Sequence, residues 1–209
     1  MKYFTLTILL VLFSFASCKK KELDFKFSGN IKDSNSGLNV PNATIKYYTY
    51  SLGNNVEALK GEAQTDALGN YEVTIERSKF ETLKIKVTKE NYFKVDESYS
   101  IDDLTTENSN EINYSLSPKS WTKFVLKNGM PASAGDELKI QKVSGKIDCD
   151  ECCANETTYY NGVVDTIVIC PNDGGKSMKI FWWVNGNDMN GEEVINNIPF
   201  DTTTVTIAY

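Results

Sequence analysis

A chain of 209 residues, 41% hydrophobic and 24% charged with a net charge of −6, has room for one large or two small domains. The acidic balance excludes a role built on nucleic-acid phosphates, which demand a basic face. The sequence holds no histidine, which removes Ser-His and Cys-His nucleophile pairs and the commonest side-chain metal ligand.

Met1-Lys2 leads into an uncharged apolar run, Tyr3 to Ala16. A membrane-spanning helix needs about 20 such residues, so this run is too short. The positive start, the apolar stretch and the small residues that follow predict a secretory signal peptide over residues 1–17. Phe15-Ala16-Ser17-Cys18 resembles the lipobox of bacterial lipoproteins, with Phe15 where Leu is usual. The resemblance implies that the Cys18 thiol receives a diacylglycerol and that cleavage falls just before it. Several acyl chains, at about 0.8 kcal/mol per buried methylene, make such an anchor effectively permanent. Residues 18–22 would form the lipidated leader. Lys19 occupies the place where Asp favours inner-membrane retention in other bacterial lipoproteins, which makes the outer membrane the expected destination.

The remaining chain alternates apolar and polar residues, the mark of half-buried strands, and has no sustained helical period. Leu23, Phe25, Phe27 and Ile31 begin the series; Ala43, Ile45 and Tyr47 follow; then come Tyr71, Val73 and Ile75; then Leu83, Ile85 and Val87; then Ile112, Tyr114 and Leu116. Turn-formers such as Pro41-Asn42 and Asp66-Ala67-Leu68-Gly69-Asn70 separate them. Pro118 predicts a boundary, because proline cannot donate to a ladder and forces extended chain. Beyond it Trp121 to Leu126, Leu138 and Ile140, Val163 to Ile169, Met178 to Val184 and Thr203 to Tyr209 repeat the alternation. The strand around Ile180 is apolar on both faces, which predicts a central position, and residues 185–193 read as the loop after it. The expected fold is all-β: two antiparallel β-sandwich domains, 23–118 and 119–209.

Within the first half, Gly29-Asn30-Ile31-Lys32-Asp33, Val40-Pro41-Asn42-Ala43-Thr44-Ile45, Thr65-Asp66-Ala67-Leu68-Gly69-Asn70-Tyr71 and Val87-Thr88-Lys89-Glu90-Asn91-Tyr92 together resemble the carboxypeptidase regulatory-like (transthyretin-like) β-sandwich domains of Bacteroidota. Asn91 replaces the glycine usual before Tyr92, a place where a left-handed Asn is expected. Asp66 is expected to cap its own turn, and Gly69 to supply a positive φ. The resemblance implies a domain without catalytic residues that acts as spacer, interaction surface or stabiliser.

With Cys18 lipidated, four cysteines remain: Cys149, Cys152, Cys153 and Cys170. In an exported protein they read as two disulfides. A bridge between the neighbours Cys152 and Cys153 would be strained. Two connectivities stay open: Cys149–Cys152 with Cys153–Cys170, or Cys149–Cys153 with Cys152–Cys170. A redox Cys-x-x-Cys expects a helix N-terminus, and a structural zinc site expects a second knuckle, and the sequence shows neither. The oxygen-rich segment 185–193 fits no calcium-loop register, so no metal and no cofactor is expected. Trp183, Tyr160 and Tyr48 are the candidate ligand-surface aromatics. No catalytic residue is predicted.

The sequence therefore predicts a non-catalytic envelope lipoprotein with a binding or scaffolding role, anchored to membrane through Cys18 and touching an envelope protein or a glycan. Two alternatives are a carbohydrate- or peptide-binding accessory of an outer-membrane uptake system and a carboxylate-dependent envelope hydrolase. The hydrolase requires a concave site in which two carboxylates converge.

Overall fold

The structure, a computed structural model, describes residues 23–209 except 52, 130, 148 and 187. Cys18 and the predicted signal peptide lie outside the described residues. Among the described residues fifteen strands make up four sheets, and the one helical element is a single 3-10 turn at Ile101–Asp103. The all-β expectation holds, and no described helix is long and apolar enough to cross a membrane.

The first pair of sheets uses β1 (Phe25–Asp33), β2 (Thr44–Ser51), β3 (Asn54–Gln64), β4 (Asn70–Ile75), β5 (Thr82–Thr88), β6 (Val95–Ser100), β7 (Ser109–Glu111) and β8 (Tyr114–Leu116). One sheet runs β3-β2-β5-β6; in the other, β1 pairs with β4 on one side and with β7 and then β8 on the other. The alternating residues face each other across the gap. Phe27, Ile31, Ile45, Tyr47, Leu83, Ile85, Val87 and Leu116 are all fully buried, and the Phe27 and Tyr47 rings lie 4.8 Å apart.

Asp66 caps its turn as expected: its Oδ1 accepts the backbone N–H of Leu68 and of Asn70, each at 2.8 Å, and Gly69 has φ +75°. Asn91 has φ +61°, the left-handed conformation its sequence position implied. The edge of β1 was not legible. It pairs in parallel with β7 through Lys26–Ser28 and with β8 through Ile31–Asp33. Between them the chain bulges at Ile112-Asn113. There the Asn113 side chain accepts the Asn30 N–H at 2.8 Å, standing in for a backbone carbonyl. The Tyr71 hydroxyl donates to the Ile112 carbonyl at 2.6 Å.

The second pair of sheets uses β9 (Lys119–Lys127), β10 (Glu137–Ser144), β11 (Thr158–Asn161), β12 (Asp165–Asp173), β13 (Ser177–Val184), β14 (Met189–Asn196) and β15 (Thr202–Ala208). Their orders are β12-β9-β15 and β11-β10-β13-β14, so the doubly apolar β13 is interior, as its sequence predicts. Phe124, Leu126, Leu138, Cys170, Met178, Ile180, Val184, Ile195 and Ile207 form the buried cluster between them. Pro171 sits on β12, an edge strand, where a missing donor is tolerated. Two expectations change. The loop over 185–193 is a turn of only four residues, and 189–193 belong to β14, paired with β13 from Met189↔Val184 onward. The last strand, β15, runs parallel to β9, not antiparallel.

The two units meet over Ser117-Pro118, and the chain there is bonded on both sides. Phe93 N–H donates to Ser117 O, Gly174 N–H to Pro118 O, and Lys119 N–H to Asn91 O. Asp33, at the junction end of β1, accepts the N–H groups of Asn35 and Ser36 and, at 3.0 Å, the hydroxyl of Tyr92. The Tyr92 ring in turn packs edge-on against Phe200, at 5.2 Å. Burial pushes the Asp33 carboxyl up, but the Ser36 and Asn35 N–H groups and the Tyr92 hydroxyl together hold it below its usual 3.8. A carboxyl depressed on folding stabilises the fold above its unfolded pKa, and that contribution disappears as pH falls through the lower folded value. Asp33→Asn is therefore expected to lose about 1–2 kcal/mol at neutral pH. The deficit against wild type should shrink below about pH 3.8 in urea titrations run across pH; a deficit that stays constant with pH would contradict the assignment.

Candidate functional site

Disulfides join Cys149 to Cys152 and Cys153 to Cys170, which selects the first of the two open connectivities. The second bridge ties the loop after β10 to β12, and its Cys170 end is buried in the second core. The first closes a turn in which Cys152 N–H donates to Cys149 O. That turn is not a helix start, so no helix dipole acts on these sulfurs. Beneath the loop lies Lys142, 7% exposed, whose ammonium donates to the carbonyls of Lys146 and Cys153. Burial holds its pKa below the ordinary lysine value.

Of the two residues inside the small ring, Asp150 reaches back to the first unit and Glu151 holds the first residue of β9. Asp150 pairs with Lys94 at 2.9 Å and Glu151 with Lys119 at 2.7 Å. The Phe93 ring has two cations near it, Lys146 at 4.9 Å and the same Lys119 at 5.4 Å from its centre. The cysteine loop is thus a junction element. These exposed pairs contribute little individually and act mainly by fixing geometry.

The aromatic candidates do not converge. Tyr48 lies on the outer face of β2, with the Lys86 ammonium 4.6 Å from its ring centre. Tyr160 pairs with Leu138 and packs against the second core, so its ring is not part of an outer face. Trp183 faces outward on β13. Register sets its neighbours: Lys139 lies opposite it on β10, Tyr159 opposite Lys139 on β11, and Asn190 opposite it on β14. The next row on that face is Gln141, Phe181 and Glu192. Tyr159 is 56% exposed and Phe181 38%. Sequence reasoning missed both. The parity of a Tyr-Tyr pair in a four-residue strand is set by its partner, and Phe181 read as one face of a buried strand. An open depression of about 380 Å³ runs along Gln141, Phe181, Trp183, Asn190 and Glu192.

Other depressions carry less chemistry. One of about 620 Å³ is lined by Asn30, Lys32, Asn39, Asn70, Asn113 and Ser115 and has no acid in it. One at the junction, about 280 Å³, holds Asp150 and Glu151, both already ion-paired. One at the far end of the second unit holds Asp136. The side-chain amide of Asn128, the Ser133 N–H and the Asn185 amide depress its pKa. Among the described residues no group of three or more metal-ligating side chains comes together.

No family model and no curated protein matches the chain. Solved structures that the chain matches include the Bacillus anthracis TIE protein, at 13% identity and TM-score 0.37 over 88% of this chain and 34% of that one. A streptococcal ancillary pilin matches at 11% identity and TM-score 0.39, over 90% of this chain and 63% of the pilin. A DUF3823 family protein from Parabacteroides merdae matches at 11% identity and TM-score 0.33, over 84% and 98%. The chain thus spans about a third of the first protein and under two thirds of the second. At overlaps of this size the functional reading rests on this chain's own geometry.

Proposed function

We propose that this chain is a non-catalytic lipoprotein of a bacterial outer membrane, acylated on Cys18, with two β-sandwich domains, 23–118 and 119–209, that serve binding or scaffolding. The observation that carries this reading is the outer face of the β11-β10-β13-β14 sheet, where Tyr159, Phe181 and Trp183 gather at the surface. Clustered exposed aromatics on a charged surface mark contact sites. The two disulfides fit an oxidising compartment outside the cytoplasm. The Asp66 turn and left-handed Asn91 support the carboxypeptidase regulatory-like resemblance of the first unit.

The hydrolase alternative is weaker, because each described acid lining a depression is already ion-paired or hydrogen-bonded. Glu192 pairs with Lys179, Asp150 with Lys94, Glu151 with Lys119, and Asp136 is held by amides. A general acid needs a carboxyl whose pKa is raised, whereas those of Asp150 and Asp136 are lowered.

Cys18→Ser tests the anchor. The variant is expected to leave the detergent phase and the outer-membrane fraction; unchanged partitioning would defeat the lipoprotein reading. Crosslinking of the wild-type protein in intact cells is expected to trap an envelope neighbour, and its absence would remove the scaffolding role.

A further inference from the structure

We infer that the outer face of the β11-β10-β13-β14 sheet binds an uncharged polysaccharide chain, with Trp183 as the stacking platform. This rests on the binding reading above and names the ligand class.

The argument begins with spacing. Strands lie about 4.8 Å apart and residues two apart on one strand about 7 Å, so Tyr159 and Trp183 stand about 10 Å apart across the sheet, with Phe181 about 7 Å from Trp183 along it. Three flat side chains at those intervals make an extended platform, not a point site. A pyranose ring offers such a platform a face of C–H groups and a rim of hydroxyls. The rim needs donors and acceptors beside the rings: Lys139 lies between Tyr159 and Trp183, Asn190 beside Trp183, and Gln141 and Glu192 on either side of Phe181.

Charge decides between ligand classes. Lys139 lies 5.3 Å from the centre of the Tyr159 ring and pairs with Glu137 at 2.7 Å. Lys179 lies 5.1 Å from that of Phe181 and pairs with Glu192 at 2.7 Å. Each cation on the face is matched by an acid, so the surface offers no net charge to an anionic polymer or a charged peptide. It still presents hydrogen-bonding groups to a neutral polyol. Trp183, between the two lysine-capped rings, has no lysine over it among the described contacts.

The test uses the full-length protein in detergent micelles, run through native gels containing starch, xylan, mannan or mixed-linkage β-glucan, with polygalacturonate as the anionic comparison. At least one neutral polymer is expected to retard the protein. Trp183→Ala should weaken that retardation tenfold or more, Tyr159→Ala and Phe181→Ala less, and Tyr48→Ala, on a different sheet, not at all. Unchanged melting of each variant shows that folding is intact. Retardation by none of the neutral polymers, retardation by polygalacturonate alone, or retardation that survives Trp183→Ala overturns the inference. A photo-crosslinking residue at position 183 separates the two levels. If it traps an envelope protein while no polymer retards the chain, the ligand class is wrong and the binding face stands; if it traps nothing as well, both fall.

Discussion

Gly29→Ala is expected to cost the first sandwich about 3 kcal/mol, and Gly29→Val to prevent it from folding. A Cβ at position 29 would lie 1.8 Å from the Ile112 carbonyl oxygen and 3.0 Å from the Tyr71 ring. The obstacle is backbone, so no rotamer change relieves it. Moving Ile112 away would break its N–H bond to Ser28 O and the bond it accepts from the Tyr71 hydroxyl. It would also disturb Asn113, which accepts from Asn30. The side chain is thus excluded where β1 changes partner from β7 to β8, and the change of partner is what glycine permits. Urea unfolding of Gly29→Ala should show a clearly lowered midpoint at unchanged slope. Gly135→Ala, where the new methyl would make only an ordinary 3.7 Å contact with Ser133, should stay within about 0.5 kcal/mol of wild type. Equal stability of the two variants would show that the β1 edge is looser than its geometry implies.

Loss of the Cys153–Cys170 bridge, by serine at both positions, should cost about 3 kcal/mol, whereas the same change at Cys149 and Cys152 should cost about 2 or less. The difference follows from loop size. The separations are 17 and 3 residues, and cross-linking a longer loop removes more entropy from the unfolded chain. Burial widens the gap, since Cys170 packs in the second core while Cys149 and Cys152 serve the junction turn. Denaturant midpoints of both double variants, with reductant as a third arm, check this. A smaller loss at Cys153–Cys170 than at Cys149–Cys152 would reverse the order and show that native-state packing, not the cross-link, dominates.

Strand alternation exposed the core before any coordinate was known. Ile45, Tyr47, Leu83, Ile85 and Val87 are all buried because a period of two admits one inward face. The Asp66 turn was legible for the same local reason: the side chain and the glycine it needs are four residues apart or fewer. What alternation cannot show is which strand lies beside which. The parallel pairings of β1 with β7 and β8, and of β9 with β15, join residues some 80 positions apart and leave no local trace. Strand β14 was hidden by its composition. Asn185, Gly186, Asn190 and Gly191 signal turn, yet only the first two lie in it; Gly191 is in the strand because the Trp182 ring covers it. The surface aromatics were half legible. Trp183 follows from the parity of β13, whereas the choice between Tyr159 and Tyr160 depends on register with Leu138 and Lys139, which no local pattern carries.

The course of β1 and β9 has a consequence for reach. β1 ends at Asp33, and β9 starts at Lys119; both of those residues adjoin the junction. Phe25 and Lys127 therefore each lie the length of a nine-residue strand, about 30 Å, from it. Val184, Asn185 and Tyr209 cluster at that second extremity with Asn128 and Gly129. A tether attached ahead of Phe25 would then be parted from the Trp183 platform by the first pair of sheets and by the length of β9.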